Sequence, residues 1–280
     1  MNQPDKWRET IDPFSLPYTN FILLEVLGYP HAGNDVFYAK GIYEKKEVFV
    51  FIKVERQDKA NIRNEIETLH QLNLLSTPKV IDYDEHKTFM VSIAIDGERL
   101  STIVGENLKS ESLEYMEEYG ELLARFHSVK GDFKPVVDRK FFHIQPKEYF
   151  EKLHISFLYD YLTINLPEKV NTCFCHGDFH YANILWKNHH ISGILDFELS
   201  GIGNKEFDIA WAIIRRPGQK FLNTEEEVRL FLKGYSKIGT YVFQNVIYYM
   251  ALIYQYFYQI GSDDQEYQTY VYSWLEENCQ

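Results

Sequence analysis

The sequence predicts an α+β fold, in which a small antiparallel sheet with one helix precedes a larger, mainly helical region. The first observation is a set of five short runs of β-branched and aromatic residues, separated by turn residues. These runs are 21–27, 36–43, 48–54, 78–83 and 88–95. The second is one helical repeat after the third run, where Ile62, Ile66 and Leu69 recur at spacings of four and three. The third is the helical spacing that dominates after residue 95. We therefore expect two domains, 1–95 and 96–280.

The composition is that of a globular protein with a large core. The chain has 280 residues, of which 45% are hydrophobic, and its formal net charge is −12. An acidic surface argues against a nucleic-acid partner, which needs a basic face. The same charge attracts small cationic ligands over long distances.

Cysteine usage and the N-terminus indicate a cytoplasmic protein. Three cysteines give no disulfide pattern, and the first ten residues lack the basic-then-apolar pattern of an export signal. Cys173 and Cys175 lie beside His176, but no second pair of ligands follows at a spacing typical of zinc sites. We therefore interpret both cysteines as small core residues.

The stretch 241–260 has the length of a membrane span and contains no charged residue. It also contains four side-chain amides and several tyrosines, which hydrocarbon disfavours. The amides belong to Gln244, Asn245, Gln255 and Gln259. We predict a helix buried within the protein and no membrane partner.

Polar residues with the chemistry of phosphoryl transfer follow two apolar strands. Asp178 and Asn183 stand five apart after the run 172–175, and Asp196 closes the run 191–195. A carboxylate can accept the proton of an attacking hydroxyl, and Asn and Asp oxygens suit Mg²⁺ on nucleotide phosphates. We predict Asp178 as the catalytic residue, with Asn183 and Asp196 as metal ligands. The alternative is an Asp that caps a loop and an Asn in a turn.

His176-Gly-Asp-x-x-x-x-Asn183, followed by Ile194-Leu-Asp-Phe197, resembles the catalytic loop and metal-binding Asp of the protein-kinase-like superfamily. The His-Gly-Asp form is similar to the aminoglycoside phosphotransferase and choline kinase branch. This resemblance implies a bilobal protein-kinase-like fold and a phosphotransferase that uses ATP or GTP with Mg²⁺ on an alcohol acceptor. Residues 1–95 would form the nucleotide-binding lobe, and 96–280 the catalytic and substrate-binding lobe.

Lys53 is the single lysine inside the apolar run 48–54 and resembles the phosphate-binding lysine of kinases. The alternative is a solvated lysine on an edge strand. Glu65, on the helix that follows, is the expected partner of Lys53, with Glu67 as the second choice. Either glutamate could instead be solvated on the helix surface.

Backbone groups at two places are expected to contact the nucleotide. Gly33 and Asn34, in the turn between the first two strands, tolerate the backbone angles that bring amides close to a phosphate. The family's hinge corresponds to Ile93, Ala94 and Ile95, whose backbone would bind the adenine edge.

The resemblance also assigns supporting and substrate residues. His176 and Asp208 would brace the catalytic loop, although Asp208 also suits a helix N-terminus. His180 and Glu198 are candidates for substrate contact, and His180 could equally be an exposed histidine. Tyrosines and acidic residues near the C-terminus could cage an amine, or the tyrosines could form an aromatic core. The acidic residues are Asp263, Asp264, Glu266, Glu276 and Glu277.

The expected activity is phosphorylation of a small, cationic alcohol, with an aminoglycoside-type antibiotic as the first choice and antibiotic resistance as a consequence to test. Choline, thiamine, amino-sugar and macrolide kinases share these motifs. A protein kinase is disfavoured because no Ala-Pro-Glu element follows Asp196. A pseudokinase is disfavoured because all four polar residues of the chemistry are present.

Overall fold

The computed structural model describes residues 11–30, 34–56, 61–72, 76–105, 109–168, 171–219, 222 and 224–280. The chain divides into two compact units. The first comprises Met1–Gly97 and Ser192–Leu199, and the second comprises Glu98–Ile191 and Ser200–Gln280. The segment Ser192–Leu199 carries Asp196, so this residue belongs to the first unit although it lies late in the chain.

The first unit contains five antiparallel strands: β1 (Phe21–Gly28), β2 (Asp35–Tyr43), β3 (Lys46–Val54), β4 (Val80–Tyr83) and β5 (Phe89–Ile93). Their order in the sheet is β1-β2-β3-β5-β4. Glu44 and Lys45 join β2 to β3 with φ angles of 49° and 63°, as a two-residue hairpin turn requires. The Asp84 carboxylate accepts hydrogen bonds from the Thr88 and Phe89 N–H groups, so strand pairing starts one residue later than predicted.

One helix, α1 (Ile62–Gln71), follows β3. The predicted apolar stripe is confirmed, because Ile62, Ile66 and Leu69 are all buried. The Asn61 side chain caps the helix by accepting a hydrogen bond from the Asn64 N–H at 3.3 Å. The helix therefore holds a fixed orientation against the sheet, with Ile62 and Ile66 packed on Met90 of β5.

The second unit is mainly helical. In the described part of the chain its helices are α2 (Leu100–Val104), α3 (Lys109–Ser128), α4 (Lys147–Lys152), α5 (Ser156–Ile164), α6 (Lys205–Ile213), α7 (Glu225–Tyr235), α8 (Phe243–Ile260) and α9 (Gln265–Cys279). The remaining strands are β6 (Glu98–Arg99), β7 (Thr172–Cys175), β8 (Ile184–Lys187), β9 (His190–Ile194) and β10 (Gly201–Asn204). β10 pairs antiparallel with β7, and β6, β8 and β9 form a three-stranded sheet. The predicted α+β class is confirmed.

Helices α3 and α7 approach each other closely through two glycines. A Cβ atom on Gly120 would lie 1.9 Å from the Phe231 backbone oxygen, and one on Gly234 would lie 1.9 Å from the Glu117 backbone oxygen. Only glycine therefore fits at either position. Next to this contact, His127 of α3 and Tyr235 of α7 share a hydrogen bond of 2.7 Å.

Helix α8 confirms the prediction of a buried helix over 241–260. The Gln255 amide is satisfied inside the protein, because it accepts from the Gln145 N–H and donates to the His143 carbonyl, both at 2.9 Å. Four of its tyrosines are buried: Tyr248, Tyr249, Tyr254 and Tyr256. For these tyrosines the aromatic-core alternative holds. Within the described residues, no helix combines the length and the apolarity that crossing a membrane requires.

Candidate active site

Lys53 lies at the centre of an acidic cluster in the first unit. Its Nζ is 2.7 Å from Glu65 Oε2, 3.0 Å from Asp196 Oδ1 and 2.5 Å from Glu198 Oε1. The side chain of Lys53 is 14% exposed and that of Glu65 is 2% exposed, so neither is a solvated surface group. The alternative partner, Glu67, pairs with Lys87 instead, at 2.9 Å.

The cluster contains more negative than positive charge. Burial opposes the charged form of Lys53, but Glu65, Asp196 and Glu198 outweigh burial and raise its pKa. Burial raises the pKa of Glu65, and the two neighbouring carboxylates add to that rise. Oxygen atoms of Glu65, Asp196 and Glu198 lie within 4.8 Å of one another, an arrangement that could hold a metal ion. Carboxylate oxygens are ligands that suit Mg²⁺, and Asp196 is the member of this set that the sequence predicts as a ligand, whereas the other predicted ligand, Asn183, lies in the second unit.

The Asp196 backbone is held in an uncommon conformation. Its φ is 69°, in the left-handed region, which aspartate tolerates better than most residues and which is often associated with functional sites. The next residue, Phe197, is fully buried, and its N–H donates to Glu65 Oε1 at 3.3 Å. The Asn64 side chain donates to the Glu198 carbonyl at 3.0 Å. Helix α1 thus positions the segment that carries Asp196.

Glu198 contacts residues of the first unit. The sequence prediction places it at the substrate, whereas its Oε1 accepts from the Asn34 side chain at 2.5 Å, and its Oε2 accepts from the Asn61 N–H at 3.1 Å. Asn34 is therefore part of the Lys53 cluster. Gly33, predicted beside it, lies outside the described residues.

At two of the three predicted hinge residues, the backbone N–H group already donates a hydrogen bond within the protein. The Ile93 N–H donates to the Lys79 carbonyl and the Ala94 N–H to the Phe49 carbonyl, both at 2.9 Å. Neither N–H can donate to an adenine without losing its sheet partner. Contact of Ile93, Ala94 and Ile95 with the base stays a prediction, and for Ile93 and Ala94 it excludes the two N–H groups that bind in the sheet.

Asp178 lies in the second unit, after β7. Its Oδ1 accepts a hydrogen bond from Trp211 Nε1 at 2.8 Å. Asn183 ends a short 3₁₀ turn and donates its side-chain N–H to the Asp178 carbonyl at 3.0 Å and to Oδ2 at 3.4 Å. The two predicted residues are therefore held together, with the Asp178 side chain 21% exposed.

The Asp178 carboxyl is strongly acidic. Burial alone would raise its pKa, but His180, Arg139 and His176 nearby lower it well below the ordinary value. His180 Nε2 is 3.6 Å from Asp178 Oδ2, while His180 Nδ1 accepts from the Ala182 N–H at 3.2 Å. His180 thus supports the catalytic loop. Asp178 is ionised and suited to orienting a hydroxyl by accepting its hydrogen bond.

Asp208 of α6 braces the catalytic loop from behind. Its carboxylate accepts from the His176 N–H at 2.9 Å and from the Gly177 N–H at 3.1 Å, and it lies 3.2 Å from His127 Nε2. Asp208 also stands in the first turn of α6, so both interpretations from the sequence apply. The His176 ring accepts from the Asp178 N–H at 3.3 Å.

Sequence reasoning missed three residues around Asp178. Trp211 donates to it, and the guanidinium groups of Arg139 and Arg216 lie over the Trp211 rings at 4.6 Å and 5.0 Å. Arg139 also donates to the Gly177 carbonyl at 2.5 Å. No spacing rule links these residues, which lie 33 to 39 positions from Asp178 along the chain. Only the adjacency of Trp211 to the Asp208-Ile-Ala element is visible in the sequence.

The structure thus gathers the predicted residues into two groups. Lys53, Glu65, Asn34, Asp196 and Glu198 lie together in the first unit. The catalytic-loop residues lie together in the second unit: His176, Asp178, His180, Asn183 and Asp208.

Comparison with known proteins agrees with this geometry. The model of the phosphotransferase enzyme family matches residues 32–239, well over half of the chain. An aminoglycoside 3′-phosphotransferase of Enterococcus faecalis is 25% identical over 176 residues, which span 56% of this chain and 65% of that protein.

Two solved structures show the same fold. The streptomycin–ATP–APH(2″)-IIa ternary complex has a TM-score of 0.57 at 20% identity, over 85% of this chain and 89% of that one. A choline/ethanolamine kinase family protein from Mesorhizobium loti has a TM-score of 0.55 at 16% identity, over 95% of this chain and 88% of that one. These likenesses confirm the predicted kinase-like fold. On the strength of the family match, the chain belongs to the phosphotransferase enzyme family.

Proposed function

We propose that this protein transfers the terminal phosphoryl group of ATP or GTP to a hydroxyl of a small cationic molecule in the cytoplasm. The observation that carries the proposal is the Lys53 cluster, in which a shielded lysine contacts Glu65 and Asp196 at 2.7 Å and 3.0 Å. A lysine held by a helix glutamate and a metal-binding aspartate is the arrangement that phosphoryl transfer by kinases requires.

On the nucleotide side, Lys53 binds phosphate oxygens, and Glu65 orients the lysine. The ligands predicted for Mg²⁺ are Asp196 in the first unit and Asn183 in the second, and the ion would neutralise charge on the phosphates. Asn34 and Gly33 offer backbone amides to the phosphates, and Ile95 offers a backbone group to the base. The contact between Glu198 and Lys53, at 2.5 Å, supports a role for Glu198 on this side as well.

On the acceptor side, Asp178 accepts the hydrogen bond of the substrate hydroxyl and aligns its oxygen for in-line attack. The low pKa of Asp178 supports this role, because the carboxylate is ionised across the physiological range. Because its pKa is low, the Asp178 carboxylate is a weak base. It therefore first orients the substrate hydroxyl, and the hydroxyl proton is transferred late, as the bond between the hydroxyl oxygen and phosphorus forms.

An aminoglycoside is the first acceptor to test. The likeness to an aminoglycoside 3′-phosphotransferase supports this class, and the net charge of −12 supports a cationic ligand. The likeness to a choline/ethanolamine kinase family protein makes small amino alcohols the second class.

A coupled assay of ADP or GDP release tests the proposal. Aminoglycosides, macrolides, choline, ethanolamine, thiamine and amino sugars are screened with ATP and with GTP. With the acceptor that responds, Asp178→Ala and Asp196→Ala should each lower turnover by about 10²–10⁴. Asp160→Ala is the control, since Asp160 is exposed on α5. Near-full activity of either site variant would refute the role of that residue.

A further inference from the structure

A group of potential metal ligands lies on the second unit, separate from the carboxylate cluster around Lys53. Donor atoms of His127, Cys173 and Cys175 all lie within 4.8 Å of one another. The two cysteines are two apart on β7 and share one face, and the histidine comes from α3. The sequence interpretation rejected zinc because no second ligand pair follows the cysteines, but the fold provides the third ligand from 46 positions earlier in the chain.

The geometry of the group suits a tetrahedral ion. Two sulfurs bound to one Zn²⁺ at about 2.3 Å, with a tetrahedral angle between them, are about 3.8 Å apart. The Cys173 and Cys175 sulfurs are 3.8 Å apart. A bound histidine nitrogen would lie about 3.6 Å from each sulfur, and the His127 nitrogen lies within 4.8 Å of both.

The surroundings offer further features of a zinc site. Strand β10 pairs with β7 beside the two cysteines, with Gly203 opposite Cys173 and Gly201 opposite Cys175, so backbone groups of β10 lie next to them as outer-shell partners would. A cavity of about 300 Å³ is lined by Cys175 and Asp208, among other residues, and gives room for a water molecule or the Asp208 carboxylate as fourth ligand. His127 and Cys175 are buried and Cys173 is partly exposed, so an ion would enter from the Cys173 side.

We propose that His127, Cys173 and Cys175 bind one Zn²⁺ ion, with water or Asp208 completing a tetrahedron. The two thiols release two protons as they become thiolates, so the affinity rises with pH. The ring nitrogen that binds the ion gives up its hydrogen bond to Asp208 or to Tyr235, which are 3.2 Å and 2.7 Å away.

Binding has a consequence for the catalytic loop. Asp208 accepts hydrogen bonds from the His176 and Gly177 N–H groups, and His127 is one of its partners. An ion that takes His127 or Asp208 as a ligand loosens this brace, so zinc inhibits phosphoryl transfer. This consequence, unlike the binding itself, rests on the proposed function.

Cobalt titration of the reduced full-length protein tests the binding. Co²⁺ replaces Zn²⁺ in tetrahedral sites and shows a thiolate-to-metal charge-transfer band, which oxygen ligands do not produce. Excess Mg²⁺ is present so that the carboxylate cluster around Lys53 does not bind Co²⁺. We expect one Co²⁺ per chain with this band, and its displacement by Zn²⁺.

Variants of single cysteines identify the ligands. Cys173→Ser should weaken Co²⁺ binding by more than about tenfold, since even loss of an outer-shell partner has that effect. Cys279→Ser is the matched control, because Cys279 is a buried free cysteine on α9. Absence of the band in the wild type, or an unchanged band in Cys173→Ser, overturns the proposal.

A second measurement needs no variant and covers the case in which Cys173→Ser does not fold. Native alkylation followed by mass spectrometry should show that Zn²⁺ slows modification of Cys173, while Cys279 is unaffected. Equal rates of Cys173 alkylation with and without Zn²⁺ overturn the proposal.

The effect of Zn²⁺ on phosphoryl transfer is then measured with the identified acceptor. Zn²⁺ should inhibit the wild type and should inhibit Cys173→Ser less. A cobalt band without any kinase activity refutes only the proposed function, and kinase activity without the band refutes only the zinc site.

Discussion

Trp211→Phe should slow phosphoryl transfer without dismantling the site. The substitution removes one hydrogen bond, from Trp211 Nε1 to Asp178 Oδ1 at 2.8 Å. A phenylalanine ring keeps most of the packing, since Trp211 lies against Phe141 and Phe257 at ring distances of 5.0 Å and 5.8 Å. The perturbation therefore acts chiefly on the Asp178 carboxylate, while the phenylalanine ring still offers a smaller face to Arg139 and Arg216.

The magnitude follows from the type of hydrogen bond. A hydrogen bond to a charged group contributes about 1.5–3 kcal/mol. If all of it acts in the transition state, its loss lowers kcat/KM by about 10- to 150-fold. Asp178 is 21% exposed and keeps Asn183 as a donor at 3.4 Å, so water and this amide offset part of the loss. We therefore expect the lower part of this range.

The assay is ADP release with the acceptor identified in the screen, together with thermal unfolding. Trp186→Phe is the matched control. Trp186 is 2% exposed on β8, and its ring nitrogen has no hydrogen-bond partner among the residues that the structure describes, so this variant removes the same atoms from a buried site without removing a described hydrogen bond. Both variants should lose similar stability, and only Trp211→Phe should lose activity. Equal kcat/KM for Trp211→Phe and wild type, within about twofold, would refute the role given to this hydrogen bond.

Three further predictions concern charge and stability. Lys53→Met should lower kcat/KM by about 10²–10³, as loss of one electrostatic donor does, and should abolish the rise in Tm with ATP, whereas exposed Lys46→Met on the same strand should not. Thr224→Ala removes the capping box of α7 and should lower the unfolding free energy in urea by about 1 kcal/mol at unchanged activity. Hydrogen bonds from Lys233 and Lys237 lower the pKa of Glu117 to about 2, so its contribution to stability is present above its ordinary pKa and is lost as the pH falls towards 2. The stability gap between wild type and Glu117→Gln should therefore shrink between about pH 4.5 and pH 2, and a gap that widened in this window would contradict the assignment.

Interactions between residues that are close in the sequence could be predicted from their spacing. Lys53 lies near the end of β3 and Glu65 lies one turn into α1, the next helix, so their pairing follows from two adjacent elements. Asp178 and Asn183 are joined within a single loop, which the five-residue spacing anticipates. In each case a short connection limits the positions that the two side chains can take.

Contacts between elements that are far apart in the chain could not be predicted from the sequence. Glu198 joins Lys53 from 145 positions later, and two predicted hinge amides are taken by sheet partners that only the strand register specifies. The nearness of His127 to Cys173 and Cys175 was beyond the sequence for the same reason, because the histidine comes from a helix 46 positions earlier. Spacing rules apply within one element, whereas these contacts depend on how elements pack.

The close contact between α3 and α7 at Gly120 and Gly234 affects more than the packing of these two helices. At both Gly120 and Gly234 the obstacle to a side chain is the opposite backbone, which cannot change rotamer. An added methyl group can be accommodated only by moving the helices apart, and this displacement would stretch the bond between His127 and Tyr235. His127 in turn contacts the aspartate that holds the catalytic loop. The absence of a side chain at Gly120 and at Gly234 therefore affects the position of the loop that carries Asp178, although both glycines lie more than 50 positions from it.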